Sequence, residues 1–279
     1  MLASRNYAPS ADLLPFVRRF YVFDGDLPDD HLLQDILLSE NAFIRVLLKG
    51  DWEAEVAPGE WAGAGKAVLF GSNSKPLTVR VRGPFRVMGF AVRPSAWRSL
   101  FKEPATEYVD QMVPLQHSWG ELADTMLAEV NAAENDEGII AAMEKAVRAQ
   151  LSVVGRKKVD EKMARFEVIA RNNSTAKMEE AASQLDLSIR QMERRCLTAY
   201  GISPKTVLRR SRFLDMAESM RGFSSPGDEI LATLRYFDQS HLNREFWRFA
   251  GMTPGKFSKA TTPLFTAGLK LRVEGKGVI

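Results

Sequence analysis

The sequence predicts a two-domain protein: a small, barrel-like, β-rich α+β domain, a helical connector, and an all-α domain with two helix-turn-helix units. Three observations predict it. Segments dense in Val, Phe, Ile and Tyr, separated by Gly, Pro, Asp and Asn, fill the chain up to Arg93. From Trp119 the apolar residues recur at spacings of three and four instead. The C-terminal part then contains a near-repeat at an offset of 50 residues. The expected divisions are a β-rich sensor or dimerisation domain over 1–115, a connector over 116–160, a DNA-binding domain over 161–265 and a tail over 266–279.

In the first domain the expected strands are Phe16–Phe23, Phe43–Leu48, Ala67–Phe70, Thr78–Arg82 and Phe85–Arg93. Asp24-Gly25, Lys49-Gly50-Asp51 and Gly83-Pro84 supply turn signals between them. Thr78–Arg82 alternates strictly, as a half-buried strand does. Ser95 is placed to cap a short helix over the following residues. Leu122, Met126 and Val130, then Ile139, Ile140, Met143, Val147 and Leu151, make two apolar stripes, broken by Asn135–Gly138. A polar, basic stretch at Gly155–Lys158 marks a hinge.

The chain of 279 residues is long enough for two domains, and its 45% hydrophobic content suffices for real cores. No apolar run approaches the roughly 18–20 residues that cross a bilayer. The N-terminal segment lacks the basic-then-apolar order of a secretory signal. Cys196 is the single cysteine, which excludes a disulfide framework and suits a reducing cytoplasm. The net charge of +3 conceals an asymmetry. From Gly155 onward Lys and Arg outnumber Asp and Glu by 23 to 14, whereas before it they are outnumbered 15 to 21. A basic C-terminal part suits a polyanion, and equally a solvated surface with no partner.

The repeat carries more. Gly201-Ile202-Ser203-Pro204 is echoed by Gly251-Met252-Thr253-Pro254, Met192 and Arg194 by Leu242 and Arg244, and Ala182 by Ala232. Each copy reads as helix (176–185, then 228–234), tight turn, second helix. Ser188 and Gln191 fit a capping box at the start of the second helix of copy one. Ile189, Met192, Cys196 and Leu197 are its expected core face, and Leu242, Phe246 and Phe249 that of copy two, with Trp247 also read as core. The outward residues are then Arg190, Gln191, Glu193 and Arg194 in one copy, and Gln239, His241, Asn243 and Arg244 in the other. Arg pairs in bidentate fashion with guanine, and Asn or Gln with adenine, so such faces suit base edges. Glycines end both helices, and Ser203-Pro204 and Thr253-Pro254 restart new ones. A helix over 204–221 joins the units and spans about 27 Å, near the ~34 Å repeat of B-DNA. Arg209, Arg210 and Arg212 on it are candidates for phosphate contact or for bracing.

The stretch Tyr236–Phe257, YFDQSHLNREFWRFAGMTPGKF, resembles the C-terminal signature of the AraC family of bacterial transcription regulators, and Leu187–Pro204, LSIRQMERRCLTAYGISP, is similar to that family's first helix-turn-helix. The resemblance covers residues 161–260. It implies that the outward residues named above, together with Ser240, read double-stranded promoter DNA. Leu234-Arg235-Tyr236 departs from it by lacking a glycine, and Cys196 by standing where a bulky apolar residue is usual. Pro15–Phe20 and Gly89–Pro94 resemble, more loosely, a β-rich domain found ahead of such units. That likeness implies a small-molecule effector, homodimerisation or both, and the family resemblance implies contact with RNA polymerase.

Little supports catalysis, a cofactor or a metal. His31, His117 and His241 lack metal-ligand spacing. Gly63–Lys66 has neither the upstream Gly nor the Ser or Thr of a phosphate loop. Cys196, on an inward helix face without a second Cys or near His, reads as a small buried hydrophobe. Trp52, Trp61 and Trp97 read as core or pocket lining. Two other functions compete: a ligand-binding or enzymatic first domain with a DNA-targeting tail, and a non-specific architectural DNA protein.

Overall fold

A computed structural model of the chain describes residues 2–156, 158–223 and 239–274. The first part folds into eight strands: β1 (Leu2–Tyr7), β2 (Val17–Gly25), β3 (Leu32–Leu37), β4 (Phe43–Ala57), β5 (Glu60–Gly63), β6 (Ala67–Phe70), β7 (Leu77–Val92) and β8 (Met112–Pro114). They form one antiparallel sheet in the order β1-β2-β7-β4-β6-β8, with β3 also on β7 and β5 also on β4. Four of them (β1, β3, β5 and β8) were not expected, because they are short or carry no dense apolar run.

Two expected turns prove to be bends inside strands. Lys49-Gly50-Asp51 lies within β4 and Gly83-Pro84 within β7, so Thr78–Arg82 and Phe85–Arg93 are one strand. Gly50 has φ +79°, and the β4–β7 register shifts on both sides of it. A Cβ there would lie 2.8 Å from the Cβ of Phe85, so glycine alone allows the close, bulged approach. The bend lets the two halves of β7 serve different neighbours, β3 first and β2 later.

Alternating side chains feed two cores. Phe20, Val22, Ile44, Val46, Met88 and Phe90 meet a layer of helices, while Tyr21, Phe23, Phe43, Leu47, Phe85 and Val87 fill the opposite face. Burial on both faces explains why these strands read as continuous apolar runs. The helical layer comprises α1 (Trp97–Leu100), α2 (Gln116–Trp119), α3 (Glu121–Ala132) and α4 (Asp136–Val154). Ser95 does not cap α1; it is buried in a 3-10 turn over Pro94–Ala96. Asn135 caps α4 by accepting from the Gly138 amide, and Gly155 closes it with φ +70°.

Beyond the first domain and its helical layer come α5 (Glu161–Asn172), α6 (Met178–Gln184), α7 (Ile189–Tyr200), α8 (Pro204–Met220), α9 (Gln239–Ala250), α10 (Pro254–Lys259) and α11 (Pro263–Glu274). The expected helix over 228–234 and the turn at Leu234-Arg235-Tyr236 lie outside the described residues. The α8 helix belongs to both units. Its Val207 and Leu208 pack with Phe166, Met192 and Cys196, whereas its Phe213, Leu214 and Ala217 pack with Phe246, Phe249 and Phe257. No helix among the described residues is long and apolar enough to cross a membrane.

The α11 helix runs from the end of the expected DNA-binding domain into the expected tail, and it packs against both the sheet and the core around α9. Its Leu264 and Leu271 enter the open face of the sheet, while Phe265 and Leu269 join the core around α9. Asp35 of β3 accepts from the amides of Leu264, at 2.7 Å, and Phe265, capping the helix from the other domain. A buried ionic cluster continues the contact. Arg272 reaches Glu40 and Asp215, each at 3.0 Å, and also Glu218. Arg18 reaches Glu167 at 3.1 Å.

Candidate DNA interface and effector cavity

The first candidate reading helix is α7. Its capping box forms as expected: the Gln191 amide donates to Ser188 Oγ, and Gln191 Oε1 accepts from the Ser188 amide at 2.9 Å. Two orphan donors of the first turn are thereby satisfied, fixing where the helix starts. Gly201, with φ +74°, ends it. Met192, Cys196, Ala199 and Tyr200 form the buried face. Ile189 and Leu197, expected in that core, are instead exposed. At 3.6 residues per turn the core stripe 192-196-199 leaves Leu197 off its edge, whereas Ile189 is on its line but is the first residue of the helix. Arg190, Gln191, Glu193 and Arg194 all point to solvent. Arg195 is drawn sideways to Asp160, at 2.6 Å.

The second candidate reading helix is α9. Gln239, Ser240 and Arg244 are exposed, and His241 and Asn243 half-buried. Gln239 Nε2 donates to Asn243 Oδ1 at 3.3 Å, so these two amides orient each other. His241 Nε2 lies 3.8 Å from Glu245. Phe246, Phe249 and Ala250 are buried as expected, and Leu242 partly. Trp247 is the exception, being exposed rather than core.

The three arginines of α8 serve as braces. Arg209 Nε donates to Glu245 Oε1 at 3.0 Å, pinning the underside of α9 to the linking helix. Arg210 is fully buried against the other domain, where it donates to the carbonyls of Asn73, at 2.6 Å, and Glu40. No phosphate can reach it in this arrangement. Arg212 donates to the Ser174 carbonyl at 3.2 Å. Cys196 is fully buried, and burial pushes its thiol well above its usual range.

Sequence reasoning missed a cavity of about 110 Å³ between the sheet, α8 and α11. Its wall is largely apolar, with Phe23, Leu37, Leu214 and Phe265 among the lining, yet Arg19 and Arg45 face it too. Arg45 is almost fully buried in a box of rings, 4.6 Å from the Trp52 centroid and 4.9 Å from that of Phe43. Its Nε donates to Tyr21 Oη at 3.2 Å, and its Nη1 is buried without a hydrogen bond. Burial, reinforced by Arg18, pulls the Arg19 guanidinium down to about 10. Among the described residues neither Arg19 nor Arg45 forms an ion pair. The sequence did hold a signal: both are charges inside apolar strand runs, FVRRFYVF and FIRVLL. Trp52 closes the box, Trp97 lies in the helical core, and Trp61 stacks on Arg80 at 4.5 Å. No cluster of His, Cys, Asp or Glu suited to a metal occurs among the described residues.

Residues 181–260 match the helix-turn-helix domain family, and residues 5–114 match a domain of unknown function (DUF6597). No curated protein matches the chain. Among solved structures the chain is similar to ToxT from Vibrio cholerae, at 11% identity over 92% of this chain and 98% of that one, with a TM-score of 0.48. It is similar to wild-type ToxT bound to an unsaturated fatty acid, at 13% identity over 86% and 94%, with a TM-score of 0.47. It is also similar to the AraC-like transcriptional activator CuxR, at 14% identity over 83% and 100%, with a TM-score of 0.30. The matched helix-turn-helix domain thus spans α7, α8 and α9 and holds nearly all of the 50-residue repeat, so this part of the chain is a helix-turn-helix DNA-binding unit.

Proposed function

We propose that the protein binds particular promoter sites in the cytoplasm with α7 and α9 in successive major grooves, and that an effector in the β-domain cavity controls this binding. The observation that carries the first half is the pair of exposed polar faces at opposite ends of α8. That helix has 17 residues, about 26 Å at 1.5 Å each, close to one turn of B-DNA. The reading residues are Arg190, Gln191, Glu193 and Arg194, then Gln239, Ser240, His241, Asn243 and Arg244. The basic surface supplies salt-dependent affinity, and these side chains supply sequence choice. In this reading the protein has no catalytic role, a homodimer occupies paired sites, and RNA polymerase is recruited or blocked there.

The second half rests on the cavity and on α11. Arg45, buried without an ion pair, and half-buried Arg19, in a largely apolar wall, call for a small organic anion with an apolar body. An occupant would press on Phe265 and Gly268 of α11, whose other face is in the core of the second reading unit. Binding in the first domain is thereby coupled to the posture of α9, provided the ligand prefers one posture.

Selection of genomic fragments with the purified protein, followed by anisotropy titration against scrambled DNA at two salt concentrations, tests the first half. One enriched motif with two elements about one helical turn apart is expected. Equal affinity for scrambled DNA would point to an architectural protein. Repeating the titration with a series of organic carboxylates, on wild type and Arg45→Met, tests the second half.

A further inference from the structure

We infer that Trp247 is a DNA-reading residue, supplying an apolar contact in the major groove beside Arg244. The inference rests on the reading of α9 given above and adds a residue to it.

Trp247 is 57% exposed, a large apolar surface to leave in water on a helix whose opposite face is packed tight. Its direction is fixed by its neighbours. Glu245, Phe246, Phe249 and Ala250 are buried, so the core lies on their side of α9. On a helix of 3.6 residues per turn, the direction opposite that core is occupied by Ser240, Arg244 and Trp247, with Asn243 and Arg248 flanking them. Trp247 therefore stands on the reading stripe, about two turns beyond Ser240 and beside Arg244.

The repeat supplies an independent observation. At the offset of 50 residues Arg194 corresponds to Arg244, and Leu197 to Trp247. Leu197 is 40% exposed, on the same outward stripe of α7 beside Arg190 and Arg194. Both reading helices thus place an exposed apolar residue three positions after an exposed arginine. The two sites differ in one respect: Pro104 and Thr106 of the β-rich domain stand across an open cleft from Leu197. Among the described residues nothing comparable faces Trp247, which makes it the cleaner case.

DNA is the occupant that fits. The patch is continuous with the reading face, and Arg244 and Arg248 beside the indole are complementary to phosphate. The major groove also offers apolar surface, chiefly the C5-methyl of thymine, with the deoxyribose edge as the other source. The indole N–H adds a donor for a phosphate or base acceptor. The inference assigns to each helix a matched pair, an arginine for a hydrogen-bonding edge and an apolar side chain for the neighbouring hydrocarbon.

The test uses the full-length protein and the site recovered from genomic fragments, with Trp247→Ala, Trp247→Phe and Arg244→Ala compared by anisotropy. Thermal melting serves as the control for folding. Trp247→Ala is expected to weaken binding to the selected site on the order of tenfold, to leave binding to scrambled DNA nearly unchanged, and to be largely rescued by Phe. Replacing thymines singly by deoxyuridine then separates the two apolar sources. A position at which wild type loses affinity and Trp247→Ala does not identifies a methyl contact, and the absence of any such position assigns the contact to deoxyribose. Unchanged affinity in Trp247→Ala, or an equal loss on scrambled DNA, overturns the inference. If Arg244→Ala retains discrimination while Trp247→Ala does too, the reading of α9 itself falls; if only Trp247→Ala does, this inference alone falls.

Discussion

Arg209 of the linking helix and Glu245 of the second reading helix form a contact that the repeat does not duplicate. The guanidinium is partly exposed, while the carboxylate is 1% exposed and lies beneath the face that carries Ser240 and Arg244. The residue at the matching place in the first unit is Arg195, which pairs outward with Asp160 at 2.6 Å. The second reading helix is therefore held to α8 by a charge, where the first is held by packing and its capping box.

Arg209→Ala should accordingly leave Glu245 buried without its main cation, at a cost of about 2 kcal/mol, reduced from the fully buried case because Arg209 itself meets solvent. Urea denaturation measures it. Arg209→Ala combined with Glu245→Leu is expected to recover most of the loss, and a double variant as unstable as the single one would contradict the account.

Arg194→Ala and Arg244→Ala should each lose about 1–3 kcal/mol on the selected site and little on scrambled DNA. Anisotropy titration reads both. A uniform loss across sequences would make either residue a phosphate contact instead.

Asp35 gives a pH dependence. Burial raises its carboxyl to about 6, above its ordinary 3.8, against the opposing influence of the Ile36, Phe265 and Leu264 amides. A group raised on folding contributes stability that is complete below its unfolded value and lost as pH rises through its folded one. Docking of α11 should therefore weaken between about pH 4 and pH 6. Melting temperatures across pH 4–7 for wild type and Asp35→Asn check this. The variant keeps an acceptor for the two α11 amides and should lack this part of the slope; identical slopes would rule the carboxyl out.

Cys196 should resist alkylation in the native protein, since its thiol is fully buried and burial disfavours the thiolate. Mass spectrometry after iodoacetamide treatment at pH 8 should find it unmodified until denaturant is added. Rapid native labelling would reopen a chemical role for it.

The sequence by itself determined what a few neighbouring residues can decide. The start of α7 is set by Ser188 and Gln191, whose hydrogen bonds span three positions. The restart of α8 and α10 is set by Ser203-Pro204 and Thr253-Pro254, and the order of the units by the repeat. The polar reading faces were legible for the same reason, because helical periodicity is local. Even there, reading Leu197 and Trp247 as core misjudged a face that the stripe 192-196-199 and its repeat contradict, and Ile189, on that stripe, is exposed at the first position of α7. Only the tertiary structure decided the rest. Gly50 and Gly83 look like turns in sequence, and become bends because β4 and β7 continue to find partners beyond them. Arg210 looks like any basic residue on an amphipathic helix, and is buried because its acceptors lie at Asn73 and Glu40, far away along the chain. Arg45 and α11 meet around one cavity although the whole DNA-binding domain separates them in sequence. Local hydrogen bonds and periodicity are written in adjacent residues, whereas the environment of a charge depends on whatever distant surface folds against it.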